Sequence, residues 1–258
     1  MIYRQILTNE DMTKLQSDVD RLGKWAVENT MKINPSKSKA VCFTRTRVKG
    51  PLKYSLLGKA VPEAISCKYL GIILRSDLSW ADHINDTVRK AWKALHFIMQ
   101  ILRKGNSNAK RLAYTSIVRP ILEYGAVCWD PYREGQIREL DRVQRKAGKF
   151  AHHTNSLTWE TLASRRKIAR LSALYKAYRG EKAWKAIGDR LERPHYLSSV
   201  DHNQKIRNRR QRMDIGKYSF VNRTIEHWNQ LPAEILDPLP RNSTTFRNRV
   251  KRVLSEEH

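Results

Sequence analysis

The stretch Cys67-Lys68-Tyr69-Leu70-Gly71-Ile72-Ile73-Leu74 sets the architecture of this chain. It is a short apolar run, rich in β-branched residues, with one glycine inside it, and that pattern predicts strand, glycine bend, strand. The other good strand candidates lie upstream, whereas almost everything downstream repeats with helical periodicity. The fold is expected to change here from a small sheet to helices.

Upstream, Ile2, Tyr3, Ile6 and Leu7 read as half of a strand already inside a core. Thr8 or Asn9 can cap the next helix, in which Met12, Leu15, Val19, Leu22 and Ala26 form one apolar stripe expected to pack on a sheet. Asn34-Pro35-Ser36 ends that pattern. Lys39 to Arg45, with Val41 and Phe43 on one face, predicts a half-buried strand, and Tyr54 to Val61 predicts a strand bent at Gly58 between Pro51 and Pro62. Short strands over one helix make an α+β half-domain, so further strands are expected on its N-terminal side.

Downstream, Ile84, Val88, Ala91, Leu95, Ile98 and Leu102 predict a helix of roughly five turns, stopped by Gly105-Asn106-Ser107. A second helix runs from about Asn108 to Tyr124, kinked at Pro120, and a third begins at Glu134 with Ile137, Leu140, Val143 and Ala147 inward. Arg138, Arg142, Arg145 and Lys146 then face outward. Leu157 to Tyr178 is helical through Ile168, Leu171, Leu174 and Tyr178. Arg165-Arg166-Lys167 near its start oppose the helix dipole and suit an anionic partner or an exposed polar face. Pro194 to Asp214 has no apolar period and carries Lys205, Arg207, Arg209, Arg210 and Arg212, which predicts a basic linker, disordered unless bound. Phe220, Ile225, Trp228 and Leu231, then Phe246, Val250, Val253 and Leu254, predict two short helices around a turn region from Pro232 to Pro240. The fold class is therefore α+β and mostly α-helical: a small antiparallel sheet remnant with one helix, a helical bundle, and short C-terminal helices. The expected segments are 1–78, 79–193, 194–214 and 215–258.

Charge narrows the function. The chain carries 50 Lys and Arg against 25 Asp and Glu, a formal net charge of +25 that costs self-repulsion and that a polyanion would relieve. No basic stretch adjoins a lipid-ready apolar face, and no run approaches a membrane span or a secretory leader, so a membrane partner is not expected and an intracellular, nuclear or cytoplasmic protein is. Cys42, Cys67 and Cys128 are odd in number and widely spaced, which predicts reduced core thiols with no disulfide partner. There is no C-x-x-C, no P-loop and no G-x-S-x-G, and His152-His153 read as surface residues. Trp80, Trp92, Trp129, Trp159, Trp184 and Tyr175 are interleaved with cations, yet their helical spacing assigns most of them to the core.

Four segments in order carry a family resemblance: Ile33-Asn34-Pro35-Ser36-Lys37-Ser38-Lys39, then Tyr69-Leu70-Gly71 before a long helix, then Val118-Arg119-Pro120-Ile121-Leu122-Glu123-Tyr124-Gly125, and then Trp228-Asn229-Gln230-Leu231-Pro232. This set resembles the C-terminal part of the reverse transcriptases of non-LTR retrotransposons, the jockey-like group in particular. The resemblance implies the end of a palm, a primer grip at Lys68, Tyr69, Leu70 and Gly71, a helical thumb, and a basic C-terminal region. It implies nucleic-acid contact at those residues and at Lys37, and the charge pattern adds Arg89, Lys93, Lys205, Arg207, Arg209, Arg210 and Arg212 as basic positions for phosphate. RNA or primer-template duplex is the implied partner, together with an N-terminal polymerase portion supplied in trans.

The implied chemistry sets a test. Two-metal phosphoryl transfer needs carboxylates held close together, and the family places them as Tyr/Phe-Ala-Asp-Asp at a hairpin that, in family order, would lie just before Met1. This chain has no adjacent aspartate pair. Glu10-Asp11, Asp18, Asp20 and Glu256-Glu257 each have a simpler role as helix-end or flank residues. The expectation is no cofactor and no catalysis for this chain, although the parent family uses Mg2+. A basic helical adaptor for a protein partner, and a decayed reading frame, are the rival readings.

Overall fold

The computed structural model describes residues 1–44, 52–151, 159–198 and 201–256. Arg45, Pro51, His152, His153, Leu157 and Glu257 lie outside them. The fold is mostly helical with two small antiparallel sheets, and it divides into two compact units, Met1–His83 and Ile84–His258.

In the first unit, α1 spans Asn9–Glu28 and starts as its sequence dictates. Thr8 is the N-cap, and the Asp11 carboxylate accepts from the Leu7 and Thr8 amides at 3.0 Å each. Those bonds hold the Asp11 carboxyl below the usual range. The sheet that α1 was expected to cover is smaller than its stripe. Tyr54 to Val61 is a hairpin and not one bent strand: β1 (Ser55–Leu56) pairs with β2 (Lys59–Ala60) across Leu57 and Gly58, both at positive φ. Gly23 lets α1 approach it, since a Cβ there would stand 3.0 Å from Leu57 Cδ2. Ala26 is buried, but Met12 and Leu22 remain 38% exposed because two-residue strands offer them no surface. Lys39 to Thr44 is likewise not a strand: it makes the isolated Ala40–Glu63 bridge, and the Thr44 amide donates to the Ser76 carbonyl at 3.2 Å.

The second hairpin is the one the opening run predicts. Strand β3 (Ser66–Tyr69) pairs antiparallel with β4 (Ile72–Arg75), with Tyr69 opposite Ile72, and Leu70 and Gly71 turn at φ 45° and 83°. Two central residues at positive φ match the right-handed twist of the flanking strands. Arg75 then fixes the exit by pairing with Asp77 and, in a fork, with both oxygens of Asp82.

Helix α2 (Ala81–Ile101) buries Ile84, Ala91, Leu95 and Ile98, as its period requires. Asn106 caps α3 (Ser107–Ala113) by accepting from the Ala109 amide at 2.8 Å. The kink expected at Pro120 is taken up one turn earlier. Residues Tyr114–Val118 form a π turn in which the Arg119 amide reaches back to the Tyr114 carbonyl, and α4 (Arg119–Glu123) follows with the proline in its first turn, where no donor is missed. In α5 (Glu134–Phe150), Leu140, Val143 and Ala147 are buried, and Arg138, Arg142, Arg145 and Lys146 are exposed.

The main core of this unit forms around α6 (Leu162–Tyr178). After the short α7 (Lys185–Gly188) and α8 (Asp214–Lys217), helices α9 (Phe220–Asn229), α10 (Ala233–Leu236) and α11 (Ser243–Glu256) close on it. Leu171, Leu174, Tyr175, Trp228, Leu236, Phe246 and Val250 are buried together, with the Tyr175 and Phe246 rings stacked at 4.5 Å. Trp129 and Trp228 are core residues, whereas Trp80, Trp92, Trp159 and Trp184 are half-buried. All three cysteines are free, and Cys128 is exposed, contrary to the core position expected for it.

Candidate nucleic-acid interface

In the first unit, Lys37 is exposed at the end of a single 3-10 turn, Pro35–Lys37. Lys68 is exposed on β3, and Tyr69, Leu70 and Gly71 form the hairpin tip. Leu70 is 72% exposed in a left-handed conformation that costs an L-residue roughly 1–2 kcal/mol. Stability therefore gives no reason for a leucine there.

In the second unit, Arg89 and Lys93 stand one turn apart on the exposed side of α2. Asp86 pairs with Arg89 and, at 2.6 Å, with Lys90, while Lys93 makes no ion pair among the described residues. Among the described residues the basic stretch beyond Arg193 has no helix or strand before α8, yet it is anchored. Ile206 is 2% exposed within the core. The Ile206 amide donates to Asn229 Oδ1 at 2.9 Å and its carbonyl accepts from Asn229 Nδ2 at 2.7 Å. Trp228 Nε1 donates to the neighbouring Gln204 carbonyl at 2.8 Å. The Trp228-Asn229 pair thus does for this segment what a second strand would do.

Anchoring also sorts its cations. Lys205 pairs with Asp201, which holds that carboxyl down to about 2. Glu192 takes both Arg207 and Arg209. Arg210 and Arg212 remain exposed with no ion pair among the described residues. Three of the five cations read from sequence at this site are therefore already ion-paired, by two carboxylates.

The same holds for Arg165-Arg166-Lys167, whose arginines find their anions inside the chain. Arg165 forks onto Glu123 and reaches Glu160 at 3.0 Å. Arg166 is 3% exposed, donates to the Leu122 carbonyl at 3.0 Å and lies over the Trp129 ring. Arg170 and Arg223 converge on Asp130, with Arg223 at 2.9 Å. Burial lowers Arg166 to about 10 and Arg170 to about 9, so both stay charged at neutral pH. The segment Leu122-Glu123-Tyr124 is in this light a docking point for α6. Helical spacing could have signalled it, since Leu162, Arg166, Arg170 and Ala173 lie on one face.

Magnesium needs gathered oxygen ligands. Among the described residues no three His, Cys, Asp or Glu side chains gather, and Asp11, Asp18 and Asp20 are engaged with Thr8, with Arg4 and Arg21, and with Gln16. The described residues thus do not gather the carboxylates of a two-metal site. No helix of the described residues is long and apolar enough to cross a membrane.

No family model matches the chain, and no solved structure matches it significantly. Two curated Drosophila melanogaster proteins do. One is named "Probable RNA-directed DNA polymerase from transposon X-element", 29% identical over 151 residues that cover 57% of this chain and 16% of the relative. The other is named "Probable RNA-directed DNA polymerase from transposon BS", 27% identical over 153 residues, again 57% of this chain and 17% of the relative. The chain thus spans about one sixth of the length of the curated relatives it matches, and over that stretch it is a reverse-transcriptase-like sequence, similar to the RNA-directed DNA polymerases of transposons.

Proposed function

We propose that this chain is a piece of a non-LTR-type reverse transcriptase that holds RNA or primer-template duplex through phosphate contacts, independent of sequence and without catalysing polymerisation by itself. The observation that carries the proposal is the net charge of +25 on a chain similar to RNA-directed DNA polymerases. Lys37, Lys68, Lys93, Arg210 and Arg212 are the exposed cations offered to phosphate. Tyr69, Leu70 and Gly71 offer an exposed turn for the nucleic-acid backbone, and the ion-paired Arg89, Lys205, Arg207 and Arg209 contribute less. Binding that engages roughly six to ten phosphates weakens about 10³- to 10⁵-fold between 50 and 200 mM salt. Fluorescence anisotropy with duplex and single-stranded RNA across that range tests this. Salt-independent binding, or none at low salt, overturns it.

One observation favours a second reading, a protein partner for the first unit. Ile2, Leu7, Trp25, Val27, Phe43 and Ile65 are all exposed there, and apolar side chains of this kind suit a protein partner where they adjoin one another. A polymerase portion supplied in trans is the partner this reading takes. Sedimentation of the chain at high concentration tests it, and a monodisperse monomer counts against it.

A further inference from the structure

Helices α2, α3 and α5 enclose a surface cleft of about 540 Å³, lined by His96, Met99, Gln100, Arg103, Lys110 and Phe150. That volume lies in the range that receives a small organic group. Its lining includes no carboxylate. Lys110 is only 6% exposed, makes no ion pair among the described residues, and holds its ammonium 4.7 Å from the centre of the Phe150 ring. Among the described residues this ammonium faces the Phe150 ring and has no carboxylate partner. Arg103 stands exposed in the same lining and is also without an ion pair among the described residues. The combination is an apolar floor, Met99 and Phe150, beneath positive charge.

A duplex offers such a cleft nothing but phosphate, because its base faces are already covered by stacking. An unpaired base brings both a flat apolar face and an anion one bond series away. We propose that the cleft takes one unpaired base of a single-stranded nucleic acid, seated against Met99 and Phe150, with its adjoining phosphate drawn to Arg103 and Lys110. This inference rests on the nucleic-acid reading above and adds a preference that phosphate contact alone does not give.

The test uses the full chain with three ligands at one salt concentration: a single strand of about eight nucleotides, an abasic strand of the same charge, and a duplex. The base-bearing strand is expected to bind at least about 5-fold more tightly than the abasic one, the lower end of what one base stacked on an aromatic ring supplies. Phe150→Leu, which keeps the charge, is expected to erase that preference and leave duplex affinity in place. Arg103→Glu, at an exposed position where no packing is disturbed, is expected to weaken the base-bearing strand more than the duplex. Equal affinity for base-bearing and abasic strands overturns the inference while leaving the phosphate reading intact, and so does a preference that survives both variants. Absence of binding to all three ligands overturns both.

Discussion

Asn229 makes both backbone hydrogen bonds of Ile206, accepting from its amide and donating to its carbonyl. One side-chain amide thereby satisfies a buried residue that belongs to no strand. Asn229→Ala leaves both groups without a partner beside the core, and the expected cost is about 1–3 kcal/mol, read as a lower urea midpoint. Faster hydrogen exchange at the Ile206 amide is expected alongside it. Asn229→Asp sets a carboxylate against the Ile206 carbonyl at the C-terminal end of α9, so its cost is expected to be at least that of alanine.

Asp130 is the anion for Arg170 and Arg223, with Arg166 Nε at 3.8 Å. Asp130→Asn leaves buried guanidinium groups without that charge, and about 3–5 kcal/mol of stability is expected to go with it. Arg170→Met removes one cation from a site that keeps Arg223, and is expected to cost less. Urea unfolding of the two variants orders them, and the reverse order would remove Asp130 from its role as shared counter-ion.

His227 sits half-buried among Arg170, Lys167 and Arg223. Burial first, and those charges second, push it down to about 4, against an ordinary value near 6.5. Between those values the unfolded chain binds a proton that the folded chain refuses. Stability is therefore full above about pH 6.5 and is lost as pH falls toward 4, by up to about 3 kcal/mol. His227→Gln is expected to flatten this window in a series of unfolding curves. His202, also lowered by burial, contributes in the same direction.

The sorting of cations by Glu192 predicts unequal effects on nucleic-acid binding. Arg212→Gln removes an exposed charge and is expected to reduce the salt slope of duplex binding by about 0.9. Arg207→Gln removes a charge that Glu192 already offsets at 3.2 Å, and its expected effect is smaller. Equal slopes for the two variants would mean that the Glu192 pairs open on binding.

Leu70 holds a left-handed turn position that asparagine occupies with less strain. Leu70→Asn is expected to stabilise the hairpin by up to about 1 kcal/mol, seen as a raised thermal midpoint. If the exposed leucine serves binding, the same variant loses affinity for primer-template duplex. Gain in both properties would leave the leucine without a functional reason.

What was legible in the sequence was what local chemistry decides. Thr8 caps α1, Leu70-Gly71 turns the hairpin, and Leu140, Val143 and Ala147 bury one side of α5, each set by near neighbours. The α1 stripe misled because periodicity reports an apolar face and not whether a surface awaits it: Met12 and Leu22 find none. Charged residues misled more. Arg165 and Arg166 read as solvent or ligand contacts, because a pattern of polarity cannot register that Glu123 and Asp130, far back in the chain, supply their anions. The basic stretch read as loose for the same reason, since the bonds that hold it come from Asn229, 23 residues on. The cleft at Lys110 and Phe150 gave no sequence signal, being assembled from three helices.

The π turn at Tyr114–Val118 makes the chain one residue longer than an α-helix of the same rise would be. Deleting a single residue there would restore regular winding and leave Glu123 facing Arg165, whereas a deletion in the regular helix on either side would rotate all that follows by about 100°. The turn therefore works as a phase adjuster between two stretches of helix. Where a relative lacks it, a one-residue gap should fall inside this turn and nowhere else between Asn106 and Glu123.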